Sequence, residues 1–328
     1  MIVRRHWEAP AEYRQSLRRA VRLEWWTIFF LATIGVVMYL TMGSSQAMKT
    51  AWIEDLLSLI PPILFLVSVR IHDQPASPGY PYGKRRIFLI AFLGSSLALL
   101  GLGGYMLLDA VMKLVNQEHP TVGIEEIFGR QVWLGWLMIA ALVYSIVPPV
   151  ILGRLKIRPS KELHDKTLHA DADMNKADWM TAVAAIVGVL GIGAGFWWAD
   201  ASAAALISAD IVWDGVKNLR RAVQDLLDGR PTTVEKAKPD PIGDRLRHVL
   251  LDLPWVKSAG LRLREEGHIV AGEAYVVPDR EEGLLERLSE AESVLARTHW
   301  RVRDVVVVPL SEEELSARVG AASESEED

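Results

Sequence analysis

The chain has 328 residues, 50% of them hydrophobic and 23% charged, with a formal net charge of -5 at pH 7. That mixture is too oily for one water-soluble domain and too charged for a chain lying wholly in lipid, so it implies a membrane domain joined to a polar one. Cysteine is absent, which excludes disulfides, thiolate metal sites and cysteine nucleophiles, and no long basic block points to nucleic acid.

Arg4, Arg5, Arg14, Arg18, Arg19 and Arg22 precede the first apolar run. This lead is too long for a cleaved signal peptide and lacks a small-residue cleavage site. Six apolar segments follow: Trp25 to Met42, Ala51 to Val69, Ile87 to Val111, Val132 to Leu152, Ala170 to Trp198, and Ala201 to Leu219. Each is near the roughly 20 residues a helix needs to cross hydrocarbon. Gly101, Gly103, Gly104, Gly191 and Gly193 suit close helix contacts in a bundle. Pro61–Pro62 and Pro148–Pro149 remove backbone donors and are expected to kink their helices. Trp25, Trp26, Trp197 and Trp198 suit interfacial belts.

Cations cluster after the second segment (Arg70, Lys84, Arg85, Arg86), the fourth (Arg154, Lys156, Arg158, Lys161, Lys166) and the sixth (Lys217, Arg220, Arg221), whereas Glu118, Glu125 and Glu126 follow the third. The positive-inside rule then places both termini in the cytoplasm, in a plasma (inner) membrane, although Lys49, Lys113 and Arg130 fall on the opposite side. Beyond "GRPTTVEKAKPDP" the composition becomes that of a small soluble domain. Asp244–Leu253 and Glu282–Arg297 read as helices, and Ser258–Arg264, His268–Val277 and Arg303–Pro309 as strands. That αββαβ, ferredoxin-like order offers little core, which favours pairing with a second copy. The tail "SESEED" reads as disordered. The fold class is therefore an all-α six-helix transmembrane bundle plus a small α+β cytoplasmic domain. Its divisions are an N-terminal segment at 1–24, the transmembrane domain at 25–228, a linker at 229–241, the α+β domain at 242–310 and a disordered tail at 311–328.

Charged side chains inside a membrane span cost about 2.5–3.5 kcal/mol each and are functional by default. Two clusters qualify. Without Ala51 to Asp55, the second segment has only Leu56 to Val69, which is short for a span, so Glu54 and Asp55 lie within the bilayer and need a partner there. In "HADADMNKADWMTA", Asp171, Met174, Asn175 and Asp178 are spaced to share one helix face, with Asp173 and Lys176 pointing elsewhere. Two carboxylates and an amide oxygen are hard ligands for a divalent cation, to be completed by acids from another helix. The plainer alternative is an interfacial helix start, because Trp179 to Trp198 can span alone and Asp171 and Asp173 would favour the N-terminal dipole. His169 reads as an interfacial histidine, and His248 and His268 as surface residues, although these two could bind regulatory metal in a dimer. Asp210 and Asp214 share a face and either line a pathway or pair with Lys217.

Several local patterns resemble the cation diffusion facilitator family across nearly the whole chain. "GSSQAM" resembles the start of its second helix, "YPYGKRR" its His-Pro-Tyr-Gly loop, and "HADADMNKADWMTA" its fifth-helix motif Ala-Asp-Ala-Leu-His-x-x-x-Asp. "WWADASAAALIS" resembles its fifth-to-sixth helix turn, and "GHIVAGEAYVVPD" a strand of its cytoplasmic domain. The resemblance implies a homodimer that exports divalent metal, usually against protons, and puts Asp178 on the family's metal-binding aspartate. Met174 then stands where histidine or aspartate is expected. In the second helix one register puts Glu54 and Ser58 at the ligand positions, and the other puts Ala51 and Asp55 there. Tyr80 and Lys84 replace the histidines of a secondary zinc site.

The reading is a secondary transporter in the lipid bilayer, with metal ligands Glu54, Asp55, Asp171, Asp178, Asn175 and Met174, and Ser58 in one register. It needs no cofactor, pairs through its cytoplasmic domain and its helices, and uses protons as counter-ion. Oxygen ligands suit Mn²⁺, Fe²⁺ or Mg²⁺ better than zinc, while the Met174 thioether dissents toward softer metals. The alternatives are a non-transporting metal sensor or assembly partner of the same fold, and a transporter of a different cation. An enzyme is disfavoured, since no nucleophile–base pair or cofactor motif is present.

Overall fold

In hydrocarbon every backbone polar group must be satisfied within the chain, so apolar stretches of this length become helices. The computed structural model describes residues 10–323 except 73, 75, 119–122, 128, 129, 236 and 237, with the side chains of 125–127, 130–132, 176–178 and 319–323 also outside the described set. The described residues fall into two compact units, divided between Val223 and Gln224.

In the first unit, α1 (Ala11–Thr41) is followed by α2 (Gln46–Leu57), α3 (Ile60–His72) and α4 (Ile87–Val115). A hairpin of β1 (Ile124–Ile127) and β2 (Arg130–Trp133) then leads to α5 (Leu134–Leu163), α6 (Lys166–Gly193) and α7 (Trp197–Leu226). Among the described residues, five segments are long and apolar enough to cross a membrane: α1, α2 with α3 as Gln46–His72, α4, α5 and α6. The sixth, α7, has 30 residues but carries Asp200, Asp210, Asp214, Lys217, Arg220 and Arg221. The core joins Leu31, Ile34 and Met38 of α1, Met48 of α2, Met138 and Leu142 of α5, Ala185 and Val189 of α6, and Ile207 of α7.

Helix α1 begins fourteen residues before the expected first span. Its stripe Ser16, Ala20, Glu24, Thr27 and Leu31 is buried throughout, and Leu17 and Val21 pack beside Ala20 against Phe65, Phe88, Leu163 and Leu168. Residues 11–24 are thus part of the bundle rather than a separate segment. The second span breaks at Ser58–Leu59, just upstream of Pro61 and Pro62, whose missing N–H groups leave the carbonyls of that turn without helical donors. Helix α5, by contrast, runs unbroken through Pro148, Pro149 and Pro159. Helix α6 stops at Gly193, short of the expected Trp198, because the next turn already belongs to α7. Close contact is confined to particular glycines. A Cβ on Gly103 would lie 2.7 Å from Ile211, and Gly191 and Gly193 lie against Ala199 and Trp133, whereas Gly101 and Gly104 face open space.

The second unit holds α8 (Ile242–Leu251), β3 (Val256–Glu266), β4 (Ile269–Pro278), α9 (Leu284–Thr298), β5 (Val302–Pro309) and α10 (Glu312–Ser323), with strand order β3-β4-β5. β3 and β4 pair antiparallel; β4 and β5 pair parallel, which requires the crossover that α9 provides. Leu246 and Leu250 of α8 and Ala291 and Leu295 of α9 cover Val270, Ala274 and Val276 of β4. Gly272 has φ +145° and its Cα approaches the Arg262 carbonyl so closely that any side chain would collide with it.

Two expectations change here. The start of the supposed disordered tail is α10: Ser311 and Glu314 form a reciprocal cap, with Glu314 N–H donating to Ser311 Oγ and Ser311 N–H to Glu314 Oε2. Those Ser311 donors hold the Glu314 carboxyl below its usual range, and Leu315 is buried against Gly260. His268 is 1% exposed rather than a surface residue, because the neighbouring Arg301 is drawn inside with it. Arg301 Nε donates to the His268 carbonyl at 3.2 Å, while its guanidinium pairs with Asp240 at 2.6 Å and Glu265 at 3.3 Å. Asp240 ends a linker whose two arms pair, with Asp240 N–H donating to the Pro231 carbonyl and Thr233 N–H to the Lys238 carbonyl.

Arg301→Ala leaves two buried carboxylates without their cation and is expected to destabilise this unit by about 3–5 kcal/mol. Denaturant unfolding followed by tryptophan fluorescence, with Trp255 buried beside this core, measures it; an unchanged midpoint contradicts it.

Candidate cation site

Helix α2 brings Glu54 and Asp55, half-buried, to a small cavity lined also by Ala51, Leu142, Ser145, Thr181 and Ala182. Thr181 Oγ1 on α6 donates to Glu54 Oε1 at 3.1 Å, so the second and fifth spans meet at this cavity. Both acids line it together with Ala51, whereas Ser58 does not; that serine ends α2, donating its N–H to the Glu54 carbonyl. Asp178 stands three residues before Thr181 on the continuous helix α6, a spacing that puts the two positions on one face. The side chain of Asp178 lies outside the described residues. Asn175, one turn earlier, is 1% exposed, and neither atom of its amide has a hydrogen-bond partner among the described residues. Leaving such a group unsatisfied costs about 1–3 kcal/mol.

Asp171 and Met174 are placed elsewhere. They line a second small cavity with Pro61, Phe92, Ser95, Ser96, Leu99, Thr167, Ala170 and Asn218, and this cavity shares no lining residue with the first. The Asp171 carboxylate is ion-paired to Lys156 of α5, whose ammonium also bonds Glu24 Oε2 of α1 at 2.8 Å. Lys156 and Glu24 are 0% exposed and Asp171 2%. Lys156, grouped above with the cytoplasmic cations, is therefore an internal counter-ion. It sits on the buried stripe Leu152, Lys156, Pro159, Ser160 and Leu163, and Glu24 on that of α1. The four-residue spacing of a lone cation and a lone acid within otherwise uncharged stripes was the available signal for both.

The histidine and acid pairs have local partners. His169 Nδ1 lies 3.0 Å from Ser160 Oγ, His248 Nδ1 lies 2.7 Å from the Asp244 carbonyl on an exposed turn, and Lys217 sits 4.0 Å from Asp214. A further polar cluster escaped sequence reading although both its halves had been singled out. Asp200, in "WWADASAAALIS", caps the N-terminus of α2 in "GSSQAM": its carboxylate accepts from Ser45 Oγ at 2.6 Å, from the Gln46 N–H and from the Ala47 N–H at 3.1 Å. A carboxylate at that position also complements the helix dipole. The Gln46 side chain in turn bridges Asp109 at 2.5 Å and Lys113 at 2.6 Å on α4. Asp200 thus fixes the N-terminal end of the helix that carries Glu54 and Asp55.

Comparison with known proteins follows the same lines. Residues 22–227 match the family described as the cation efflux transmembrane domain. The chain is 26% identical over 268 residues to the manganese efflux system protein MneP of Bacillus subtilis, spanning 79% of this chain and 83% of that one. It is 24% identical over 297 residues to the cation-efflux pump FieF of Shewanella oneidensis, spanning 89% and 91%. It is also 24% identical over 214 residues to the magnetosome protein MamB of Magnetospirillum gryphiswaldense, spanning 64% and 67%.

Lys156→Met strands two carboxylates in the bundle and is expected to cost about 3–5 kcal/mol, lowering the melting temperature in detergent. The charge-free triple variant Glu24→Gln, Lys156→Met, Asp171→Asn is expected to recover most of that loss. A single variant that melts like the unaltered protein contradicts the ion cluster.

Proposed function

The chain belongs to the cation efflux family, an integral membrane transporter family, and from that premise we propose that it exports a divalent cation from the cytoplasm through Glu54, Asp55 and Asp178. One observation carries the reading: two acids of α2 line a single cavity with α6, joined to it by the Thr181–Glu54 bond one turn from Asp178. Asn175 supplies an amide oxygen that burial otherwise leaves unsatisfied. Three carboxylates and an amide make a hard oxygen set, which suits manganese or ferrous iron and disfavours zinc. The likeness to a manganese efflux protein points the same way.

In the transport cycle the cation enters from the cytoplasmic side and replaces its hydration shell with these oxygens. Rearrangement at the broken α2–α3 junction and along α6 exposes it to the other side. Once the cation has left, neighbouring carboxylates in an apolar bundle repel one another, so protons take its place and return inward. That gives antiport from one site. Both termini are cytoplasmic in an inner membrane, by the distribution of Lys and Arg, and the α+β unit pairs with a second copy. The non-transporting alternative draws on Met174, and on Ser58 or Ala51 according to the register of the second helix, which stand where the family's pattern has ligands.

In proteoliposomes, unaltered protein is expected to couple Mn²⁺ flux to proton movement, and Asp178→Ala to abolish it. Flux in Asp178→Ala equal to the unaltered protein removes this site, and no flux for any divalent ion in the unaltered protein favours the non-transporting alternative.

A further inference from the structure

The buried cluster of Glu24, Lys156 and Asp171 holds two carboxylates against one ammonium. Both acids bond the same Lys156 ammonium, and Glu24 Oε1 has no hydrogen-bond partner among the described residues. Two carboxyl groups and an ammonium held at 0–2% exposure on three helices are expensive to bury unless they have work to do. Asp171 also forms part of the wall of the second cavity, beside the Met174 thioether, the Thr167 hydroxyl and the Asn218 amide. Ser95, 4% exposed, lines the same cavity with a hydroxyl that has no hydrogen-bond partner among the described residues. Buried hydroxyls are ordinarily paired, so this wall presents an unsatisfied oxygen and a carboxylate to one space.

We propose that this cavity is a second cation subsite, distinct from the Glu54–Asp55 site, in which the Lys156 ammonium holds the place of the cation at Asp171 until a cation arrives. Glu24 is what makes the exchange possible. Lys156 already bonds both acids, so when a divalent ion takes the Asp171 carboxylate the ammonium keeps Glu24 and remains paired. The cluster then passes from one cation between two acids to one cation for each. The subsite's oxygens come from Asp171, Ser95, Thr167 and Asn218, with Met174 at its edge. Because α6 carries both Asp171 and, seven residues on, Asp178, one helix connects the two sites. The inference rests on the cation-transport reading for its ligand, but on separate residues for its site.

Titration of Mn²⁺ into the full chain in detergent micelles, monitored by calorimetry, tests it. Two binding events are expected in the unaltered protein; Asp178→Asn keeps only the Asp171 event, and Asp171→Asn keeps only the central one. Asp171→Asn retains the Glu24–Lys156 pair and the side-chain shape, so its folding is preserved; size-exclusion and melting behaviour verify this for each variant. Glu24→Gln is the discriminating variant. It leaves Asp171 in place but gives Lys156 no other anchor, so the ammonium stays on Asp171 and Mn²⁺ affinity at this subsite falls by about tenfold or more, while the central event is unchanged. A folded Asp178→Asn protein that binds no Mn²⁺, beside Asp171→Asn that binds as the unaltered protein does, overturns the subsite and leaves the central site standing. An Asp171→Asn that loses one event while Asp178→Asn loses none supports the subsite and removes Asp178 from the central one. Equal or tighter binding in Glu24→Gln overturns the role given to Lys156.

Discussion

A carboxylate inside an apolar bundle must be matched by something, and the bundle is arranged around how each of its acids meets that demand. Asp200 is matched by the N-terminal N–H groups of α2, Asp109 by Lys113 and the Gln46 amide, and Asp171 by Lys156. These are fixed partners supplied by neighbouring helices, and they tie α1, α2, α4, α5, α6 and α7 together. Glu54 and Asp55 border a cavity at which the Thr181 hydroxyl of α6 donates to Glu54. Asp171 does both, paired to Lys156 and bordering the second cavity.

The helical break between α2 and α3 belongs to the same logic. Two prolines in succession leave the carbonyls near Ser58 without helical donors, and the irregular turn falls one turn past the acids. Non-helical backbone at membrane depth persists where it is buried in protein or lines a cavity, and broken helices are where membrane transporters commonly place their ion sites. The capped N-terminus at Asp200 anchors one end of α2, so the junction with α3 is the place where that span can yield.

Much of this was legible in the sequence. Apolar length gave the spans, and alternation and turn residues gave the αββαβ order, because both depend on local periodicity. The resemblance to the cation diffusion facilitator family matches the family to which residues 22–227 belong. Pairing across helices was harder to read. Asp171, Met174, Asn175 and Asp178 do lie on one continuous helix, yet Asp171 is claimed by Lys156 and Met174 opens to another cavity, because a face about 10 Å long borders more than one neighbour. Lys156 looked like one more cytoplasmic charge because α5 was expected to end at Leu152 instead of running to Leu163. The start of the tail was misread for a local reason: Ser311–Glu314 is a capping box and Leu315 an anchor, but the acidic composition around them masked both.

The direct test of carboxylates from two spans converging on one cation is where the ion sits. Anomalous diffraction at the manganese absorption edge, from crystals of the full chain grown with Mn²⁺, is expected to give a peak between α2 and α6 within coordination distance of Glu54 or Asp55 and of Asp178. Manganese found only in the soluble unit, with none between these helices, would contradict it.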